Sequence, residues 1–257
     1  MITLIGWLWW WIIPIRKRIA IDNFRAAFPD RDPSELRRTV GEMVWGYVEL
    51  AMGRRAVVHG AELLQGGGIC LAGHGGAWDL ALISAGRHIP ASIFVKTPAN
   101  PLIARWITMM RRRSGLELLA PTGSALTAYR ALKRGRVVVF VQDQRQNDGV
   151  LVDFFGRPAL TSRGFGVLAA RSGAPLFGTW QWRDEAGQHH IKIERLSVQV
   201  PSSTDEAVLA LTQASQRFYE DKIRQRPHSW LWLHNRWRQL DSQHVRTIQR
   251  PLPNLKP

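Results

Sequence analysis

Ile69-Cys70-Leu71-Ala72-Gly73-His74-Gly75-Gly76-Ala77-Trp78-Asp79-Leu80-Ala81-Leu82-Ile83-Ser84-Ala85 reads as three pieces in a row. The apolar run 69–72 has the length and composition of a buried strand, and 80–85 reads as the opening of a helix. The turn between them lies where open α/β sheets place their ligands, which makes His74 the first candidate catalytic residue. Gly75 and Gly76 let backbone approach a substrate closely, and the helix N-terminus offers unpaired N–H groups to an oxyanion. Asp79 follows His74 with four residues between. With His74 in the turn and Asp79 in the first helical turn, the carboxylate can reach the imidazole, fix its tautomer and raise its basicity, as a general base for a hydroxyl requires. The same spacing also suits a histidine that merely caps a helix whose first turn carries an acid for the macrodipole.

Outward from this stretch, strands and helices alternate. Strands are expected at 69–72, 92–95, 117–120, 137–141, 150–155, 176–183 and 190–196. Helices are expected at 77–87, 101–113, 124–134, 162–172 and 204–225. Asn100 caps the second of these, with Pro101 at its first position. Val137-Val138-Val139-Phe140-Val141 is apolar throughout, as a central strand covered on both faces must be. The turn Asp184-Glu185-Ala186-Gly187 makes the last strand pair antiparallel. The fold expected is α/β, a single mixed, mostly parallel sheet flanked by helices. Before it stand a helix at 15–27 and another announced by Asp32, Pro33 and Glu35, a capping-box pattern, with Leu36, Val40, Met43, Val44, Tyr47 and Ala51 as its buried stripe. The chain divides into an N-terminal hydrophobic anchor and helical cap (1–55), an α/β domain (56–240) and a loose tail (241–257).

The chain has 35 Lys+Arg against 20 Asp+Glu, a net charge of +15, and 12 Trp. Such a balance suits nucleic acid, an anionic membrane surface or an acidic partner. Tryptophan favours the membrane–water interface, and Trp9-Trp10-Trp11 lie within an apolar N-terminal run that ends at Arg16-Lys17-Arg18. That run falls short of the ~20 residues of a spanning helix. Its charges follow the apolar stretch, the reverse of a signal peptide. An interfacial helical anchor whose basic end meets anionic headgroups fits best, with the end of a longer hydrophobic segment and an N-terminal core helix as the other readings. No nucleic-acid motif stands out, so nucleic acid is not an expected partner. The single cysteine, Cys70, excludes an internal disulfide. No Cys/His cluster has metal-ligand spacing, and no cofactor is implied.

Asp143 ends the central strand, where it points into the same crevice as His74 if the two strands are parallel neighbours. Arg111-Arg112-Arg113 close a helix that carries Trp106 and Met109, a pattern suited to headgroups or phosphates and also to the macrodipole alone. Arg157, in Phe154-Phe155-Gly156-Arg157-Pro158, is read as a sharp turn between a strand and the next helix. It and Arg163, near that helix start, are candidate anion ligands. Trp230-Leu231-Trp232-Leu233-His234 reads mostly as core.

Taken in order, these motifs resemble the bacterial lipid A late acyltransferases (the lauroyl/myristoyl acyltransferase family), relatives of the glycerolipid acyltransferases. The resemblance rests on His74–Asp79, Asn100-Pro101-Leu102 before a basic helix, Gln142-Asp143-Gln144, Phe154 to Ala159, Gly173-Ala174-Pro175 and Trp230 to His234. It implies a glycerol-3-phosphate acyltransferase-like fold at the cytoplasmic face of the bacterial inner membrane. The implied reaction moves a fatty acyl chain from acyl carrier protein, or from coenzyme A, to a hydroxyl of a lipid A precursor. It also implies His74 as general base, Asp79 as its orienting acid, and Gly75, Gly76, Lys96, Arg111, Asp143, Arg157 and Arg163 as substrate-binding residues. Three departures stand out. Asp79 replaces the usual Glu, Arg145 stands where the family often has a second acid, and the N-terminal region is shorter than usual. The basic residue commonly found before the Asn-Pro pair is here Lys96. Another lipid acceptor, such as a mannosylated phosphoinositide, and a noncatalytic membrane- or carrier-binding role remain open.

Overall fold

A computed structural model describes residues 1–95, 98–120, 125–146 and 149–238. The stretch that opens the sequence argument forms β2 (Gly68–Ala72), a turn and α4 (Trp78–Gly86). β2 lies fourth in a seven-stranded sheet that also holds β1 (Ala56–His59), β3 (Ala91–Phe94), β4 (Glu117–Leu119), β5 (Val137–Val141), β8 (Leu176–Arg183) and β9 (His189–Arg195). The order is β1-β9-β8-β2-β5-β3-β4. Every pairing is parallel except β8 with β9, so the sheet is mixed and mostly parallel, as expected.

Period-two alternation divides β2 and β5 between two cores. Ile69, Leu71, Val138 and Phe140 face α6 (Ala125–Lys133), α7 (Gly164–Ser172) and α8 (Thr204–Gln225). Cys70, Val137 and Val139 face the other way, with Leu64, Ile93, Leu116 and Ile193. On that side lie α4 and α5 (Pro101–Arg113), whose cap Asn100 accepts the Leu102 and Ile103 N–H groups.

Two strands escape the sequence reading, and one belongs elsewhere. β1 is a short, half-exposed edge strand. The strand expected at 150–155 is β6 (Val150–Phe154), which lies outside the main sheet. It pairs only with β7 (Arg157–Thr161) in an antiparallel hairpin. The two-residue turn Phe155-Gly156 has φ of 56° and 71°, as a type I′ hairpin demands. Arg157 therefore opens a return strand, not a helix.

The N-terminal region is three helices, α1 (Ile2–Trp11), α2 (Lys17–Ala27) and α3 (Leu36–Ala51). α1 crosses α3 at backbone distance: a methyl at Gly6 would stand 2.2 Å from the Arg37 carbonyl oxygen, and one at Gly41 2.3 Å from that of Ile2. Asp32 accepts the Ser34 N–H as a cap should. The first turn after it is a 3₁₀ turn, Pro33–Glu35, and Glu35 bonds Arg31, so the reciprocal half of the capping box does not form. The expected stripe is half right. Leu36 and Val40 are buried, while Val44 and Ala51 are exposed and Glu42, Gly46 and Glu49 are buried in their stead. Glu49 is there because His189 and Arg183 both bond it, at 2.7 and 3.2 Å. Among the described residues no helix is long and apolar enough to cross a membrane. The tail expected at 241–257 lies outside the described residues.

Candidate active site

Ala72 and Val141 are register partners at the ends of β2 and β5, so the next residues of both strands emerge side by side. His74 and Asp143 meet there. The His74 Nδ1 lies 2.8 Å from Asp143 Oδ1, and the His74 backbone N–H donates to Oδ2 at 2.6 Å. Trp230 Nε1–H adds a third bond to Asp143 at 2.9 Å. Tyr219 braces both strand ends: its hydroxyl donates to the Ala72 carbonyl and accepts the Gln142 N–H.

Asp143 is fully buried, whereas the His74 side chain keeps 24% of its surface exposed. Burial alone would push the Asp143 carboxyl upward. The charge of His74, its ring and backbone hydrogen bonds and that of Trp230 outweigh burial, and the acid is held below the usual carboxylate range. For His74, burial pulls downward, but the charge and hydrogen bond of Asp143, helped by the charge of Asp79, raise it above the ordinary histidine value. A carboxylate on Nδ1 keeps the proton there and leaves Nε2 as the free base.

The expected His74–Asp79 pair is not formed. Asp79, on the first turn of α4, accepts Arg111 Nε and NH2 on one oxygen, at 2.8 and 2.6 Å, and the Tyr47 hydroxyl on the other, at 3.0 Å. The physical reason is competition. A guanidinium fork makes two charge-assisted bonds to the carboxylate, and the imidazole already has Asp143. Arg111, expected on substrate, is thereby committed to Asp79.

The glycine turn is pinned as well. Gly76 N–H donates to the Ser229 carbonyl at 2.7 Å, Leu231 N–H to that of His74, and Gln181 Nε2 to those of Gly73 and Gly75. Gly76 therefore cannot be an oxyanion donor, and of the expected pair the Gly75 N–H is the one outside these bonds.

His74 opens onto a cavity of about 500 Å³. Trp78, Asp79, Arg111, Gln144 and His234 line its polar end. Leu82, Ile89, Ala91, Leu116, Val137 and Ile193 are among its apolar walls on one side of the sheet, and Ala128, Phe140 and Leu168 line it from the other. Neither Arg157 nor Arg163 is among its walls. Arg157 stacks on Trp237, 5.1 Å from the ring centre, and Arg163 stands just before α7. Lys96 lies outside the described residues. His234 is no rival base: burial pushes it down to about 4, and its Nε2 accepts the Arg145 N–H. Among the described residues no three His, Cys, Asp or Glu side chains form a metal-holding group.

Gln181 and Tyr219 escaped the sequence reading, Tyr47 was read only as part of a buried stripe, and Trp230 as core and as part of a family motif. Each acts across 32 residues or more of chain, for which no local spacing exists. The family model described as bacterial lipid A biosynthesis acyltransferase matches residues 54–239. Phosphatidylinositol mannoside acyltransferases from two strains of Mycobacterium tuberculosis are 29% and 30% identical over 185 residues. These alignments cover 69% of this chain and 57% of the relatives, so the chain spans little more than half their length. The crystal structure of the 1-acyl-sn-glycerophosphate (LPA) acyltransferase from Thermotoga maritima aligns with a TM-score of 0.41 at 17% identity, over 88% of this chain and 95% of that one. The family match takes in the whole sheet, the His74 turn, both carboxylates and the Trp230 segment, and the chain belongs to the bacterial lipid A biosynthesis acyltransferase family.

Proposed function

We propose that the protein transfers a fatty acyl chain from a thioester donor to a hydroxyl group of a glycolipid, with His74 as general base and Asp143 as its orienting acid. The observation that carries this reading is a histidine with a free Nε2 at the polar end of an apolar cavity. The walls suit a hydrocarbon chain, and the polar end brings the thioester carbonyl to the base. β5 crosses the cavity from Val137 to Val141, about 13 Å of strand. That is room for an extended chain of about ten carbons at ordinary carbon–carbon bond lengths.

His74 Nε2 takes the acceptor hydroxyl proton as the oxygen attacks the thioester carbonyl. The Gly75 N–H is the backbone donor for the oxyanion. Collapse of the intermediate breaks the carbon–sulfur bond, and the imidazolium returns its proton to the departing thiolate. Ester and free thiol are the products. The donor is an acyl carrier protein or coenzyme A thioester. The acceptor is a lipid A precursor, and the names of the mycobacterial relatives favour a mannosylated phosphoinositide as the second reading.

The enzyme acts at a membrane, on this reading the cytoplasmic face of the inner membrane. Leu4, Trp7, Trp11, Ile12 and Ile13 are exposed, and Arg16 and Arg18 follow them on the surface. α1 has ten residues. Exposed Trp and aliphatic side chains followed by surface arginines are the pattern of a helix that meets the membrane interface.

Acyl transfer from a labelled thioester to a panel of lipid acceptors, wild type beside His74→Ala, tests the reading. General-base catalysis predicts a loss of about 10²–10⁴-fold in the variant. Near-normal transfer by His74→Ala overturns the mechanism. Donor binding without transfer to any acceptor replaces it with a binding role.

A further inference from the structure

α3 runs directly beside the catalytic turn. A methyl at Gly46 would stand 2.4 Å from the Ala77 Cβ, so helix and turn touch there. The next residue, Tyr47, donates its hydroxyl to Asp79 Oδ2 at 3.0 Å, while Arg111 holds Oδ1 from the opposite side. The Tyr47 ring meets Trp78 edge-on at 5.9 Å, and Trp78 meets the His74 ring in the same manner at 5.3 Å. Burial first, then the charge of Asp79, push the Tyr47 phenol far above its ordinary range, so it stays a donor at every working pH.

We propose that Tyr47 is a positioning residue of this active site: with Arg111 it holds the Asp79 carboxylate off His74, so that the imidazole keeps Asp143 as its one hydrogen-bonded acid and Nε2 stays open to the acceptor. Without the hydroxyl, Asp79 Oδ2 loses its donor, and protonated His74, which already feels the Asp79 charge, is the cation beyond Arg111 that draws it. Around His74 and its two acids stand Arg111 from α5 and Tyr47 from α3 on Asp79, Tyr219 from α8 beside Asp143 of β5, and His234 from the C-terminal segment. Of these, Tyr47→Phe changes only the screening of Asp79. A less screened carboxylate favours the imidazolium, so the histidine titration moves up and the rate limb that needs free base moves up with it.

The kinetic part rests on the acyl-transfer reading; the titration does not. Tyr47→Phe, Asp79→Asn and the double variant are compared with wild type by the His74 ring-proton NMR titration and by the pH dependence of acyl transfer. Tyr47→Phe is expected to raise the His74 titration by about half a unit. It should lower kcat about tenfold with KM within about twofold. In the Asp79→Asn background the same change should cost less than about twofold, because Tyr47 acts through Asp79. An unmoved titration, or an equal loss in both backgrounds, overturns the proposal. If wild type transfers no acyl chain, the acyl-transfer reading fails while the titration still decides the role of Tyr47.

Discussion

His74 sits between two acids that do different work. Asp143 bonds its Nδ1, whereas Asp79 acts on it only through charge. Asp143→Asn keeps the shape and removes the charge, and its amide can donate to Nδ1 and fix the wrong tautomer. A rate loss of about 10³–10⁴-fold is expected, against less for Asp79→Asn, in matched single-turnover assays. The pH profile separates them further. Asp143 is what outweighs burial at His74, so in Asp143→Asn the histidine titrates below the ordinary value of about 6.5. The acid limb of the residual activity should then move to lower pH. In wild type the His74–Asp143 coupling also stabilises the fold. That contribution is complete between the ordinary carboxylate and histidine values, fades as pH rises through the raised histidine one, and is lost again as pH falls through the depressed one of Asp143. The sequence makes His74 and Asp143 legible one at a time, each as a polar residue just past an apolar strand. Their shared crevice is legible on condition that the two strands are parallel neighbours, and the hydrogen bonds that join them are not. The spacing of His74 and Asp79 gives reach, but direction is set by Tyr47 and Arg111, which approach from other helices.

β5 lines the cavity with three valines of one face, joined by Phe140 of the other. Val137, Val139 and Val141 alternate into the cavity, and each step of two moves about 6.6 Å along its length. Val137→Phe should block the far end, and Val139→Phe should shorten the usable length by roughly five more carbons. Competition among thioesters of graded chain length reads this as two successive shifts of the preferred donor. Overpacking costs about 1–3 kcal/mol, so melting temperatures are measured alongside. Unchanged preference in both variants would remove the cavity from the acyl path. Elements such as β5, β8 and α8 are legible because their apolar pattern and their structure agree. β7 is hidden by Pro158, which demotes a strand on sequence grounds. In the structure Pro158 pairs opposite Asp153, whose own N–H and carbonyl bond Gln213 of α8. β1 is hidden by its length and its half-exposed edge. Glu49 falls outside the apolar stripe read for α3, and it is buried where His189 of β9 and Arg183 of β8 both bond it.

At the scale of the whole molecule, a net charge of +15 and an apolar N-terminal surface call for one account. α1 is fixed to α3 by the close crossing at Gly6 and Gly41, and α3 in turn touches the His74 turn where Gly46 meets Ala77. A bilayer that took up Trp7 and Trp11 would thus hold the body of the enzyme at a set height through two helices. Lys17 closes the surface toward α2: its Nζ lies 4.1 Å from the centre of the Trp10 ring and donates to the Trp10 carbonyl. The two flanking arginines are free to meet headgroups by geometry, since both are exposed beside the apolar end of α1. Each basic residue near an anionic surface contributes about 1 kcal/mol, so Arg16→Gln with Arg18→Gln should weaken partition into anionic vesicles about 30-fold. That loss should shrink as salt is raised, because the Debye length shortens. Trp7→Ser with Trp11→Ser should weaken partition into neutral and anionic vesicles alike, since buried apolar area does not depend on headgroup charge. Vesicle flotation separates the two effects. Full partition by both double variants would take the N-terminal surface out of membrane binding and leave the positive charge of the α/β body to carry it.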